Sequence, residues 1–115
     1  MPHLIIEFSQ QQAEPEQVEA MLDAVHAAAA ATGLFDESHI RVRAIPLSYY
    51  RTAGAYSHFI HAQCRIHSGR DDAQKRDLST AVLEALKAQQ WAAKSITVEV
   101  VELDRATYAK YTNNE

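Results

Sequence analysis

The chain of 115 residues holds one cysteine, Cys64, so no intrachain disulfide can form. That agrees with a reducing compartment. Long apolar runs are missing too: the alanine run at residues 27–31 falls far short of the roughly 20 residues that span a bilayer. The beginning of the chain lacks the basic region, apolar core and small-residue cleavage site of a signal peptide. These absences point to a cytoplasmic protein with no membrane partner. Positive charge is in the minority, with 11 Lys and Arg against 15 Asp and Glu, for a net charge of −4. Such a balance argues against nucleic acid as a partner, and it leaves any anionic ligand to a few local cations. No P-loop, dinucleotide-binding fingerprint or Gly-x-Ser-x-Gly elbow is present.

Six histidines invite a metal reading: His3, His26, His39, His58, His61 and His67. Their spacing does not build a site. His58 and His61 are three apart on a predicted strand, which turns them to opposite faces, and no second cysteine is available. No metal is expected. Cys64 sits within an apolar strand and reads as a small buried hydrophobe rather than a nucleophile.

With 47% hydrophobic and 23% charged residues the chain has the profile of an ordinary globular protein rather than a disordered one. Its length suits one domain over residues 1–115. Leu4, Ile6 and Phe8 alternate as one face of a first strand. A helical pattern follows at about residues 14–32, where Val18, Met21, Leu22 and Val25 form one stripe. Pro15 suits the first helical turn, and Gly33 suits the position just past its end. In the next strand Ile40, Val42 and Ala44 face one way, and Arg41 and Arg43 the other. Pro46 ends pairing on at least one side. A Tyr-containing connection leads to a strand at about residues 56–67 and then the turn Ser68-Gly69-Arg70. A second helix at about residues 72–90 carries the stripe Leu78, Val82, Leu83 and Leu86, with Asp71 and Gln74 at capping-box spacing. A Val-, Ile- and Thr-rich strand fills residues 95–102, and Asp104 is placed to cap a short C-terminal helix bearing Tyr108 and Tyr111.

The resulting class is α/β (α+β), in the order β-α-β-β-α-β. Two βαβ repeats, about 2–46 and about 56–103, give a four-stranded sheet with both helices on one face. Ile5, Phe59, Val101 and Leu103 then lie on the other face, which a homo-oligomer would cover.

The chemistry begins at Pro2. A small residue at position 2 permits removal of Met1, which would leave a free secondary amine at the start of a strand. An α-amino group titrates near 7.7–8.0 in model peptides, and nearby cations or burial lower that value. A neutral amine can take a proton from one carbon and return it to another. Many chains begin Met-Pro, so Pro2 alone says little. The arginines add to it. Arg41 and Arg43 share a strand face, and Arg70 precedes a helix start, a favourable place for an anion. Guanidinium groups bind carboxylates well. Together they suit a small anionic dicarboxylate or tricarboxylate beside the amine. Each arginine also has an ordinary alternative, a solvated strand face for Arg41 and Arg43 and pairing with Asp71 or Asp72 for Arg70.

Four segments, taken in order, carry a resemblance: Met1-Pro2-His3-Leu4-Ile5-Ile6-Glu7, Ala31-Thr32-Gly33-Leu34-Phe35, Ile40-Arg41-Val42-Arg43 and Ser68-Gly69-Arg70. In sequence and spacing they resemble the 5-carboxymethyl-2-hydroxymuconate delta-isomerase family of the tautomerase superfamily, over residues 2–102. The second half is also similar to the short 4-oxalocrotonate tautomerase chain, but lacks its N-terminal proline near Ser57 or His58. The resemblance implies a tautomerase-like fold, a homotrimer, and neither metal nor organic cofactor. It implies an isomerase that turns a 2-hydroxymuconate dienol into the enone of a 2-oxo acid, in the breakdown of the aromatic compound homoprotocatechuate. Pro2 then becomes the base and afterwards the acid. Arg41 stabilises carboxylate and dienolate, and Arg70 adds a second carboxylate contact. The segment at residues 47–55, with Tyr49, Tyr50 and Arg51, departs from the family pattern and is expected to alter the pocket wall. A different 2-hydroxydienoate or a phenylpyruvate-like enol therefore stays open as substrate. Two other readings stay open as well. One is a noncatalytic ferredoxin-like ligand-binding module, which shares the element order. The other is a hydrolase or dehalogenase on the same fold, which needs a water-activating carboxylate, with Glu7 and Glu102 as its strand candidates.

Overall fold

The computed structural model describes residues 2–113. Its elements are β1 (His3–Ser9), α1 (Pro15–Ala31), β2 (Arg41–Leu47), β3 (Phe59–His67), α2 (Asp72–Ala88) and β4 (Ser95–Leu103), with single 3-10 turns at Gln10–Gln12 and Glu37–His39. The four strands form one sheet in the order β2-β1-β3-β4. β1 runs parallel to β2, β3 runs parallel to β4, and the two units meet where β1 and β3 pair antiparallel. Both βαβ units are thus unsplit, with their parallel strands direct neighbours. This separates the fold from the ferredoxin-like module, whose βαβ units are split by an inserted strand.

Strand alternation decides what is buried. Leu4, Ile6 and Phe8 of β1 and Ile60, Ala62, Cys64 and Ile66 of β3 point to one face. Met21, Val25 and Ala29 from α1 and Leu78, Val82 and Leu86 from α2 close on that face in a single core. The helix termini follow their residues. Pro15 opens α1 behind a Glu14–Gln17 capping box, and Gly33 takes a left-handed φ of 74° just after it. Asp71 and Gln74 make the reciprocal box of α2. β2 runs through Pro46 to Leu47 because it is an edge strand and pairs with β1 alone. No helix among the described residues is long and apolar enough to cross a membrane.

Two expectations change. The expected C-terminal helix is a single turn. Thr107 N and Tyr108 N both donate to Asp104 O at 3.2 Å, and the chain then leaves helical geometry. A continued helix would gain little packing, since Tyr111 is 88% exposed. Tyr108 is instead held by histidine rings on the sheet. The third strand begins at Phe59 rather than near residue 56. Residues 48–58 form an excursion tightened by a Thr52–Ala55 bridge, with Ala53 and Gly54 both at positive φ. Arg51 sits over the Tyr56 ring at 3.9 Å, and Tyr50 packs edge-on against Tyr56. Because β1 and β2 are parallel, this tyrosine loop stands at the opposite end of the sheet from Pro2, about 20 Å away along the strands. It does not form the pocket wall of its own chain.

Candidate active site

Pro2 is fully buried, at the head of β1. Its carbonyl accepts a hydrogen bond from Arg41 N at 3.1 Å, which extends the β1–β2 ladder by one step and fixes the residue. Beside it lies a cavity of about 190 Å³. Three connections converge on it. The α1–β2 loop supplies Leu34, Phe35, Asp36 and His39. The end of β3 and its turn supply Ile66, His67 and Arg70, and the turn after β4 supplies Arg105.

The cavity lining holds two arginines, Arg70 and Arg105, against one carboxylate, Asp36. Among the described residues no carboxylate forms an ion pair with Arg70 or Arg105. Asp71, one expected partner of Arg70, caps α2 by accepting from Gln74 N at 2.8 Å. Asp72, the other, lies 3.6 Å from Lys75. Arg70 donates to the carbonyl of Leu34 and lies over the Phe35 ring at 5.6 Å, so it also ties two of the three connections together. Its Nε is buried with no hydrogen-bond partner among the described residues. Arg105 donates from Nε to Ser68 O at 2.8 Å, which pins the C-terminal turn beside the cavity. The start of α2 offers less to an anion than its position suggests, because the Asp71 carboxylate already occupies it.

The structure brings Pro2 and Arg70 into one cavity. Arg41 and Arg43 do not border it within a single chain. They lie on the open sheet face, in register with His3 and Ile5. Arg41 reaches the neighbourhood through its Nη1, 3.1 Å from the carbonyl of His39. Arg43 Nη1 donates to His3 Nδ1 at 3.4 Å. An arginine cannot accept, so His3 Nδ1 carries the lone pair and Nε2–H donates to Tyr108 Oη at 2.8 Å. Glu7 and Glu102 lie away from the cavity, and Glu102 is paired with Lys75 at 3.0 Å. Sequence reasoning missed Asp36, His39, His67 and Arg105. Asp36 follows the Gly33-Leu34-Phe35 segment directly, His39 comes three residues after Asp36, and His67 stands three residues before Arg70. No local signal pointed to Arg105. Asp36 accepts from the hydroxyl and the amide of Ser38, and those bonds hold its carboxyl below the usual range.

The second βαβ unit repeats the corner without the cavity's chemistry. Lys94 N donates to His58 O at 2.9 Å, as Arg41 N does to Pro2 O. There Ser9 and Gln12 knit into His58 and Phe59, and Trp91 packs edge-on against Phe8. His58 is inside the chain and has no amine to offer. Among the described residues no group of three or more His, Cys, Asp or Glu is placed to hold a metal.

Two of the histidines titrate low. Burial, then the charges of Arg43 and Arg41, lower His3. Burial, with Arg105 and Lys110 adding to it, lowers His67. Below about pH 6.5 the unfolded chain therefore takes up these protons more readily than the native one, and stability falls as pH falls. In urea titrations, the drop in midpoint from about pH 7.5 to about pH 5.5 is expected to shrink in His3→Gln, which removes one of the two groups. An unchanged drop would contradict this account.

A four-stranded sheet built from two unsplit βαβ units, with a fully buried proline at its head and a cationic cavity beside it, defines a tautomerase-type protein. The family profile of 5-carboxymethyl-2-hydroxymuconate isomerase matches residues 2–114, and the chain belongs to that family. Membership supports a cofactor-independent, tautomerase-type enzymatic activity in general. Among solved structures, a 5-carboxymethyl-2-hydroxymuconate isomerase from Deinococcus radiodurans is similar, with a TM-score of 0.82 and 24% identity over 97% of this chain and 90% of that one. A fused 4-OT wild-type symmetric trimer has a TM-score of 0.77 and 13% identity, over 89% of this chain and 87% of that one. A malonate semialdehyde decarboxylase inhibited by 3-bromopropiolate has a TM-score of 0.76 and 14% identity, over 96% of this chain and 90% of that one. At such identities the likeness speaks for the fold. Comparison with curated protein sequences finds no significant match.

Proposed function

We propose that this protein is an isomerase that moves a proton along a conjugated 2-hydroxymuconate-type enol, with the amine of Pro2, freed by removal of Met1, as base and then acid. The observation that carries the reading is the buried Pro2 beside a cavity whose two arginines, Arg70 and Arg105, have no carboxylate partner among the described residues. Burial and adjacent positive charge both disfavour the protonated amine, which favours its neutral, basic form. The same cations stabilise the negative charge that gathers on the 2-oxygen as the proton leaves carbon. They also suit a dicarboxylate or tricarboxylate, which delivers its own charge to a net-acidic protein.

The open sheet face belongs to the same reading. It carries Ile5, Phe59, Val101 and Leu103, half-buried and uncovered by helices, and a homotrimer covers it by packing copies together. Arg41 and Arg43 lie on that face, so any part they take in binding substrate depends on how copies meet there. A cytoplasmic location goes with the single buried thiol of Cys64. A different enol remains the second reading of substrate: the loop at residues 48–58 does not border its own cavity, and it bears on the substrate only if another copy brings it there.

A screen of 2-hydroxymuconates and simple enols tests the proposal, on protein whose first residue is verified by mass spectrometry and whose mass in solution is measured by light scattering. Turnover of a carboxylated enol by a three-chain particle is the expected result. No turnover of any enol by protein beginning at Pro2 would overturn it.

A further inference from the structure

We propose that His67 is a further catalytic residue of this cavity, donating a hydrogen bond from Nε2 to the substrate oxygen on which negative charge develops. The inference rests on the isomerase reading above. It starts from the ring's two nitrogens. His67 borders the cavity together with Pro2, Arg70 and Arg105. Its Nδ1 is buried and has no hydrogen-bond partner among the described residues. A buried N–H left without an acceptor is costly, and a lone pair in the same place is less so. The proton therefore belongs on Nε2, the nitrogen left to meet a bound molecule.

The ring's surroundings keep it in that state. Tyr108 packs edge-on against it, with ring centroids 4.8 Å apart at 86°. Tyr108 is itself held by the His3 bond, and Arg105 by Ser68 O, so the C-terminal turn seats the imidazole from two sides. Burial and the nearby cations oppose a second proton. A neutral imidazole gives a directed N–H donor without adding another charge to compete with the arginines for carboxylates. The roles fit an enol substrate: Arg70 and Arg105 hold the carboxylates and lend positive charge near the 2-oxygen, the Pro2 amine moves the proton between carbons, and His67 Nε2–H adds a directed hydrogen bond to that oxygen as its charge rises in the transition state. No bond to His67 forms or breaks. The hydrogen bond strengthens as the proton leaves carbon and weakens as it returns.

Three substitutions separate this role from packing. His67→Phe keeps an aromatic edge against Tyr108 and removes both nitrogens. His67→Gln places an amide N–H near the Nε2 position, and His67→Asn near the Nδ1 position. Relative to wild type, His67→Phe is expected to lower kcat about 10- to 100-fold with KM within about threefold, since the bond matters in the transition state. His67→Gln is expected to recover most of that loss and His67→Asn none, with melting temperatures close to wild type throughout. Wild-type kcat in His67→Phe, or equal recovery by Asn and Gln, would overturn the assignment. Nitrogen-15 NMR of the wild-type imidazole gives a readout that needs no variant to fold: the Nε2–H tautomer at about pH 7 is expected, and the Nδ1–H tautomer or the imidazolium would refute it. Pro2→Ala measured alongside keeps the two claims apart. If wild type moves no enol proton, the isomerase reading fails while the tautomer result still stands. If wild type is active and His67→Phe equals it, only the role of His67 fails.

Discussion

Protein that keeps Met1 is expected to turn over its enol at least about 10²–10⁴-fold more slowly than protein beginning at Pro2, the range that a positioned general base contributes. The reason is electronic. With Met1 attached, the Pro2 nitrogen is a tertiary amide whose lone pair is delocalised into the carbonyl, and it is no base at any physiological pH. Two other titratable groups at the cavity are poor replacements. His67 titrates low, but it is placed as a donor, and the Asp36 carboxyl, held below the usual range by Ser38, is a weak base. Pro2→Ala, processed to a free terminus, is expected to fall between the two. It keeps an amine of similar basicity and loses only the ring that fixes the direction of the lone pair. Assaying the three preparations with mass-verified termini is expected to rank wild type beginning at Pro2 first, Pro2→Ala second and the form that keeps Met1 last. Equal rates for the first and last would remove the amine from the mechanism.

Arg70→Ala is expected to reduce kcat/KM by about 10²–10³-fold, the loss typical of removing one donor that stabilises developing oxyanion charge. Two structural facts make this arginine the one to test. Its charge meets no acidic side chain among the described residues, with Asp71 committed to the α2 cap and Asp72 next to Lys75. Its guanidinium is also held by the Leu34 carbonyl and the Phe35 ring, so its direction is set before any ligand arrives. The same contacts mean that Ala also loosens the α1–β2 loop. Arg70→Lys distinguishes the two effects: it keeps a charge but loses the planar fork. If the fork is what substrate uses, Lys recovers little activity, and added free carboxylate inhibits the variant much less than wild type. Activity in Arg70→Ala within about threefold of wild type would show that Arg105 alone binds the anion.

The two predictions differ in how visible their residues were. Pro2 and Arg70 were legible because each sits in a short segment with its own local chemistry, a chain start at a strand and a glycine turn before a capped helix. Their meeting was not legible. They are 68 positions apart, and they share a cavity only because β1 and β3 pair antiparallel, which brings the beginning of one strand to the end of the other. The same pairing brings in His67, the last residue of β3. Arg105 enters because Arg105 and Tyr108 find Ser68 and His3 as partners, and those bonds outweigh the weak preference of a lone turn to continue as a helix.

By itself the sequence determined the elements of this protein. Period-two alternation in the strands, period-four stripes in the helices, the Asp71–Gln74 cap and Gly33 are local rules, and they act through residues within a few positions of one another. It also determined the scarcities with which the reading began: one cysteine, few cations, and no run long enough to span a membrane. Only the tertiary structure decided where the few cations go. Strand pairing in the order β2-β1-β3-β4 sends Arg70 and Arg105 into the Pro2 cavity and leaves Arg41 and Arg43 on the open face. The physical reason is range. A cap or a stripe is set by neighbours along the chain, whereas a site is set by which ends of which strands lie side by side, and that follows from burying one shared core.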